Sequence, residues 1–259
     1  MRIVRLAVAA LCLLASAGCQ TDEPAFLEVQ PAEVLWERAQ GQLEGISVLG
    51  LFDWVDTDEA VETLQAIIDN YPYSDYAIRA ELAIADAYFD NGQYEEALTY
   101  YRDFDELHPG HEKVSFTLWR AALCHNEQVL DPGRDQSATR NALKFLDRLL
   151  IEHPRSEYGV EAEALWRTLQ TTLAESVQAI ADFYYSREEY EAAAERYRAL
   201  LDEYPGLGLD AAVLYRLGEC YAALRRQDEA DRIFRTLVAH YGESEYAFRA
   251  RRELTTDLP

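Results

Sequence analysis

Histidines are the residues here that most directly suggest chemistry, because imidazole binds metal ions and transfers protons near neutral pH. His108, His111 and His125 lie close together in the sequence. His111-Glu112 begins like the His-Glu-x-x-His zinc motif, but Ser115 stands where its second histidine should be. A place in a helix-ending turn explains His108 better, because it comes directly before a proline. The spacing therefore predicts no metal site.

The sequence also lacks complete motifs for binding phosphate or dinucleotides and for acid–base catalysis. Neither Lys113 nor Lys144 follows a glycine, as a phosphate-binding loop requires. Gly206-Leu207-Gly208 lacks the third glycine of a dinucleotide fingerprint. The pairs Glu95-Glu96 and Glu188-Glu189 lie at predicted helix starts and turns, where carboxylates are usually solvated. The sequence therefore predicts a non-enzyme without a cofactor.

The charge balance excludes two classes of partner. The 259 residues include 47 Asp and Glu against 24 Lys and Arg, so the formal net charge is -23. Nucleic-acid binding depends on Lys and Arg that neutralise phosphates, so no nucleic-acid partner is expected. Anionic lipid headgroups are repelled as well, so any membrane attachment needs a hydrophobic anchor.

The first 18 residues resemble a secretion signal. Two arginines precede an apolar run over residues 6–17, which is too short to cross a bilayer core of about 30 Å. Small residues then lead to Cys19, as in bacterial lipoproteins, whose cysteine is acylated after cleavage. We expect residues 1–18 to be a signal peptide and Cys19 to carry the lipid. Ser16 stands where that motif prefers Leu, and ordinary secretion after cleavage at Ala17 is the alternative.

Two cysteines then remain in the mature chain, Cys124 and Cys220. They lie in separate helical patterns among apolar neighbours, which indicates buried, unpaired thiols. A disulfide between them is the alternative that the sequence leaves open.

A repeated pattern fills the rest of the chain. An alanine, a larger apolar residue four positions later and a proline or glycine twelve positions after the alanine recur five times. The sets are Ala60/Leu64/Pro72, Ala97/Tyr101/Pro109, Ala142/Leu146/Pro154, Ala193/Tyr197/Pro205 and Ala230/Phe234/Gly242. Residues four apart share a helix face, so the alanine admits a neighbouring helix and the large residue packs against it. The pattern resembles tetratricopeptide (TPR) repeats and predicts an all-α fold, a right-handed solenoid of about five TPR-like hairpins.

Turns and irregular spacings refine this architecture. Serines at 74, 156 and 244 each directly precede an acidic residue and are predicted N-caps. The last of these turns predicts a C-terminal capping helix from Glu245 to Leu254. Residues 45–58 and 129–136 are predicted loops, and residues 158–185 are predicted to form one long helix of about seven turns.

Several of these segments resemble the BamD family of outer-membrane β-barrel assembly lipoproteins. They are the Tyr-Pro turn at 71–76, Arg134-Asp135, the turn at 153–158, and Glu175, Tyr184-Tyr185 and Arg187 at the end of the long helix. The resemblance runs from Cys19 to about Tyr241. Glu188 replaces a glycine of the family, and the loop at 45–58 is longer than usual.

The resemblance implies a lipid-anchored scaffold on the periplasmic side of the outer membrane, and Gln20 after the cysteine agrees with outer-membrane sorting. Residues 19–31 would form a tether. N-terminal repeats, 32–128, would receive unfolded outer-membrane proteins, and C-terminal repeats, 129–259, would bind a BamA-like β-barrel insertase. Other assembly lipoproteins are further implied partners. The residues assigned are Tyr71, Tyr73, Tyr76 and Tyr88 for peptide binding and Arg187 and Arg196 for the insertase, with Tyr184 assigned to the core.

Two other classes of function stay open from the sequence. One is a different periplasmic TPR adaptor lipoprotein in cell-envelope maintenance, which a coiled coil before the repeats would favour. The other is an envelope enzyme, which a perturbed carboxylate pair in a closed cleft would favour.

Overall fold

The computed structural model describes residues 30–44, 46–48, 52–54 and 57–256. The described residues form eleven helices, which we number α1 to α11, and two short strands, β1 and β2. The elements are α1 (Ala32–Glu44), β1 (Ile46–Val48), β2 (Phe52–Trp54), α2 (Thr57–Asn70), α3 (Asp75–Asp90), α4 (Tyr94–Leu107), α5 (Val114–Asn126), α6 (Ser137–Glu152), α7 (Gly159–Ser186), α8 (Tyr190–Glu203), α9 (Asp210–Ala223), α10 (Gln227–His240) and α11 (Glu245–Thr256). They make five antiparallel hairpins, α1/α2 to α9/α10, followed by α11.

The predicted all-α, TPR-like solenoid is confirmed. Each helix packs on the helices that precede and follow it along the chain. All five repeated alanines are fully buried, and the large residue four positions after each of them is at most 2% exposed. Small and large side chains therefore hold the two helices of each hairpin together, as the spacing predicts.

The fit between small and large positions is closest in the last hairpin. A Cβ built on Gly218 of α9 would lie 2.3 Å from a ring carbon of Phe234 in α10. Two earlier hairpins use alanine at this position, with Ala85 opposite Tyr101 and Ala181 opposite Tyr197, and both alanines are fully buried. Glycine at 218 thus lets the Phe234 ring approach the α9 backbone more closely than a methyl group would permit.

Three details differ from the sequence-based expectations. The predicted loop at 45–58 contains an antiparallel pair, with Ile46 opposite Trp54 and Val48 opposite Phe52, and α2 begins at Thr57. The serine at 156 is not the N-cap of α7, because the helix begins at Gly159 with Tyr158 as its cap. The capping helix α11 continues to Thr256, two residues past the predicted end.

The long helix and the other serine caps are confirmed. Helix α7 has 28 residues and joins the first three hairpins to the last two. Ser74 accepts a hydrogen bond from the Ala77 N–H at 3.2 Å, and Ser244 accepts one from the Ala247 N–H at 3.1 Å. These bonds satisfy N–H groups that the first turn of a helix leaves without partners.

The two thiols are free, and both are fully buried. They lie in different hydrophobic clusters, Cys124 in the α3–α5 cluster and Cys220 in the α7–α11 cluster, so the alternative of a disulfide is wrong. Burial raises the pKa of each thiol to about 12. The predicted signal peptide, Cys19 and nearly all of the predicted tether lie outside the described residues. Within the described residues, no helix combines the length and the apolar character that crossing a membrane requires.

Candidate functional site

Two of the predicted peptide-binding tyrosines meet at the junction of the first two hairpins. Tyr71 follows α2 and donates a hydrogen bond from its hydroxyl to the Gln30 carbonyl at 2.9 Å. Tyr76, in the first turn of α3, lies with its ring centroid 6.4 Å from that of Trp36 in α1. Both tyrosines are half-buried against the cluster formed by α1, α2 and α3. Each therefore packs in the structure and also presents part of its ring.

The other two predicted tyrosines differ in exposure. Tyr73 lies in the turn between α2 and α3 and is 102% exposed, so it makes no packing contribution. Tyr88, near the end of α3, is half-buried, and its ring centroid lies 5.7 Å from that of Tyr100 in α4. The structure thus places Tyr73 beside the junction in full contact with solvent, while Tyr88 packs within the second hairpin.

The structure adds Trp36 and Arg79 to this junction, and the sequence predicted neither of them. The Arg79 guanidinium carbon lies 4.1 Å from the Trp36 ring centroid and 5.3 Å from that of Tyr76. The spacing of Tyr76 and Arg79, three residues apart on one helix face, was the only local signal. We call Trp36, Tyr71, Tyr73, Tyr76 and Arg79 the N-terminal aromatic surface.

A polar network fixes the second hairpin against the third. The buried Tyr101 donates from its hydroxyl to the Asp86 carboxylate and accepts from Arg120 Nε at 2.9 Å. Arg120 Nη2 also lies 3.0 Å from Asp86, and its guanidinium carbon lies 3.9 Å from the Phe89 ring centroid. Burial raises the pKa of Asp86 despite these partners, and burial and the neighbouring Asp86 raise the pKa of Tyr101. Three adjacent helices are therefore bound together at one point.

Part of this arrangement recurs in the last two hairpins, where Arg216 pairs with Glu219 at 3.0 Å in place of the aspartate. Tyr197 donates to Asp182, fifteen residues earlier, as Tyr101 does to Asp86. Arg216 of α9 occupies the place of Arg120, with its guanidinium carbon 4.6 Å from the Tyr185 ring centroid. Because Tyr101 and Tyr197 are buried and each bonds to the first helix of its own hairpin, the recurrence indicates a structural role in holding the hairpins together.

The predicted partner-binding arginines both lie on the fourth hairpin. Arg187 caps the C-terminus of α7, is exposed, and places its guanidinium carbon 4.5 Å from the Phe183 ring centroid. Arg196 is exposed on α8. Tyr184 is half-buried against the C-terminal cluster, where the sequence placed it.

The backbone beside Arg187 is in an unusual conformation. Glu188, which stands where the family has glycine, has a φ of 63° and is therefore in the left-handed region. Arg225 takes the same place in the fifth hairpin with a φ of 58°, and Gly92 takes it in the second with a φ of 75°. These three turns require the conformation that glycine adopts most easily, but two of them carry another residue.

The histidines considered as metal ligands have other partners. His108 Nε2 lies 2.8 Å from Glu81, His111 meets the Phe104 ring edge-on at 5.3 Å, and His125 stacks on Phe145 at 5.7 Å. Within the described ranges, no group of three His, Cys, Asp or Glu side chains is arranged to hold a metal ion.

Comparison with known proteins gives a family match and several similar relatives. The family YfiO, described as an outer membrane lipoprotein, matches residues 52–233. The outer membrane protein assembly factor BamD of Caulobacter vibrioides is 28% identical over 229 residues, which cover 87% of this chain and 72% of the relative. BamD of Rickettsia prowazekii is 27% identical over 253 residues, which cover 96% of this chain and 97% of the relative.

Among solved structures, the TPR2AB domain of yeast Sti1 is similar with a TM-score of 0.41 and 16% sequence identity, over 83% of this chain and 81% of that one. The family match covers well over half of the sequence and includes every hairpin at least in part. The chain therefore belongs to the YfiO outer-membrane lipoprotein family, the family of the BamD assembly factors.

Proposed function

We propose that the chain is a non-catalytic scaffold of outer-membrane β-barrel assembly, held at the membrane by a lipid on Cys19. Its relatives are named as assembly factors, and we take that role for this chain. In this proposal the N-terminal hairpins receive segments of unfolded outer-membrane proteins, and the C-terminal hairpins bind a BamA-like insertase. Other assembly lipoproteins are further partners of the same scaffold.

The observation that carries the substrate-binding role is the N-terminal aromatic surface. Its half-buried rings are held by packing, and Arg79 stacks on two of them, so this part of the surface is ordered before any ligand arrives. Rigid aromatic side chains lose little conformational entropy on binding and supply large contact areas. An extended segment that presents alternate apolar side chains suits such a surface better than a folded domain does.

The charge of the chain supports the mode of attachment. With a net charge of -23, the hairpin stack is repelled by anionic headgroups, so acyl chains on Cys19 would supply the membrane affinity. Replacing Cys19 by alanine should release the chain into the soluble periplasmic fraction. Retention of the Cys19→Ala chain in the membrane would show that the anchor is not this lipid.

Peptide binding tests the substrate role directly. The probe is a fluorescent peptide with the sequence of a β-strand from an outer-membrane barrel, titrated with the purified full chain. Tyr73→Ala should weaken binding about fivefold to tenfold, because truncating an exposed aromatic anchor typically costs about 1 kcal/mol or more. Phe248→Ala is the matched control, since Phe248 is 56% exposed on α11, far along the chain from this surface. Equal affinity of Tyr73→Ala and the wild type would count against the proposed surface.

Copurification tests the partner role. After detergent extraction, the tagged chain should bring down a BamA-like barrel protein, and its depletion should lower the amount of inserted outer-membrane proteins. Normal insertion in depleted cells would contradict the scaffold function as a whole.

A further inference from the structure

The second half of α7 exposes an apolar face that is unusual for this fold. Ile180 is 46% exposed and Phe183 is 51% exposed. They lie three residues apart on one helix face, and Arg187 continues that face one turn further. The three positions span about 10 Å along the helix axis.

The equivalent positions in two other hairpins are buried. The repeats can be aligned on the small residue that faces the second helix, which is Ala181 in α7. One residue before it, where α7 has Ile180, α3 has Ile84 at 0% exposure and α9 has Leu217 at 2%. Two residues after it, where α7 has Phe183, the side chains are Ala87 at 7% and Cys220 at 0%. Both positions are thus buried in α3 and α9 and exposed in α7.

The preceding hairpin explains the difference. In α3, Ile84 packs in one cluster with Leu64 and Ile67 of α2, the second helix of the hairpin before it. Helix α6 holds the same position before α7, and its leucines pack against Leu169 and Leu173 in the middle of α7. However, α6 has 16 residues and α7 has 28, so their lengths are about 24 Å and 42 Å. The last ~18 Å of α7 therefore extend beyond the reach of α6.

We propose that the face formed by Ile180, Phe183 and Arg187 receives an amphipathic helix of a partner protein, in the place that the second helix of a preceding hairpin takes elsewhere in the stack. The inference rests on the proposed partner-binding role of the C-terminal hairpins and adds the class of ligand. A helix fits because a helix fills the equivalent space in the other hairpins. An apolar stripe of the partner covers Ile180 and Phe183.

The charge around this face defines the partner further. Arg187 forms no ion pair with any residue that the structure describes, although the chain carries 47 acidic residues. Its guanidinium instead lies over the Phe183 ring, which keeps its N–H groups available. The docking helix therefore carries a carboxylate next to its apolar stripe, where it pairs with Arg187. An aromatic residue beside an arginine is also the composition typical of binding hot spots.

Affinity measurements on surface variants test this inference. The full lipidated chain in detergent is titrated with the purified soluble periplasmic region of the BamA-like insertase from the same organism. Phe183→Asp should weaken binding at least tenfold, and Arg187→Glu about fivefold or more, while Phe183→Leu should stay within about twofold of wild type. Phe248→Asp is the matched control, because Phe248 is similarly exposed on α11, and it should bind like wild type. All variants should melt at the wild-type temperature, since the changed side chains are exposed.

These measurements distinguish an error in the docking face from an error in the proposed partner contact. If wild type does not bind the insertase region, the proposed partner contact is wrong and this inference with it. If wild type binds and Phe183→Asp binds equally well, the partner contact stands and the docking face is wrong. A photo-crosslinking residue at position 183 gives a second measurement: cross-links confined to one helix of the partner support the inference. Cross-links to a strand or an extended segment would overturn it.

Discussion

Glycine at position 188 should stabilise the hairpin stack. Glu188 has a φ of 63°, and its turn is held by hydrogen bonds from the Glu188 N–H to Tyr185 O at 3.0 Å and from the Glu189 N–H to Tyr184 O at 3.1 Å. The turn therefore imposes the left-handed conformation, which costs a residue with a Cβ about 1–2 kcal/mol. Glycine avoids that strain but loses about 0.5–1 kcal/mol more on folding, because its unfolded state is freer. The net gain from Glu188→Gly is about 0.5–1 kcal/mol.

The measurement is thermal and urea unfolding of the full chain followed by circular dichroism. A gain of this size corresponds to a melting temperature about 1–4 °C higher for a chain of this length. Arg225→Gly should act in the same way, because Arg225 has a φ of 58° in the next hairpin. The two turns are neighbours in the stack, since Arg226 Nη1 lies 3.1 Å from Glu191 Oε1, so the double variant measures whether the two effects couple. Gly92→Ala is the reverse case, because Gly92 has a φ of 75°. The added methyl group would have no atom within 4 Å, so backbone strain alone should lower the free energy of unfolding by about 1 kcal/mol.

Charge removal is the competing explanation, because Glu188 is followed by another glutamate in an acidic chain. Glu188→Ala removes the carboxylate and keeps the Cβ. If backbone strain is the cause, Glu188→Ala should melt close to wild type. Equal stabilisation by alanine and glycine would show that charge repulsion matters and that the strain argument is wrong.

Four further outcomes follow from the packing. Gly218→Ala should destabilise the chain by about 1–3 kcal/mol, because the new methyl group would meet the Phe234 ring, whereas Gly110→Ala in an open turn should change urea unfolding little. Tyr101→Phe should cost about 1 kcal/mol in the same assay, because the Asp86 carboxylate loses a hydrogen bond, and an unchanged midpoint would mean that Arg120 satisfies it alone. The two buried thiols, with pKa values raised to about 12, should resist a thiol reagent at pH 8 until the chain unfolds. Because the native thiols hold their protons more tightly than unfolded ones, the free energy of unfolding should fall as the pH rises from about 8.5 towards 12.

Most of the fold could be read from the sequence because the repeat is local. Ala142 and Leu146 are four residues apart, so their shared helix face follows from helix geometry alone, and both are fully buried. Serine caps at 74 and 244 are local for the same reason. At position 156 the prediction was wrong, because α7 begins only after Tyr158, whose ring packs on Phe116 and Trp119 of the preceding hairpin.

The candidate sites were less accessible to sequence reasoning. The sequence gives no basis for distinguishing the exposure of the four predicted tyrosines, yet Tyr73 is fully exposed and Tyr88 packs against Tyr100. Their difference depends on which helices are neighbours in space. Trp36 and Arg79 lie 43 positions apart in the sequence, and no local pattern joins them.

The sequence alone established the all-α repeat architecture, the acidic balance and the resemblance to an assembly-lipoprotein family. Helix periodicity depends on residues a few positions apart, and the charge balance depends on composition alone, so neither needs the tertiary structure. Which side chains remain uncovered is instead a property of the folded stack. Ile180 and Ile84 are the same residue at the same place in the repeat, but one is half exposed and the other is buried. The reason is the length of the neighbouring helix: α6 stops short of the end of α7, whereas α2 covers α3, and that depends on how helices of different lengths stack.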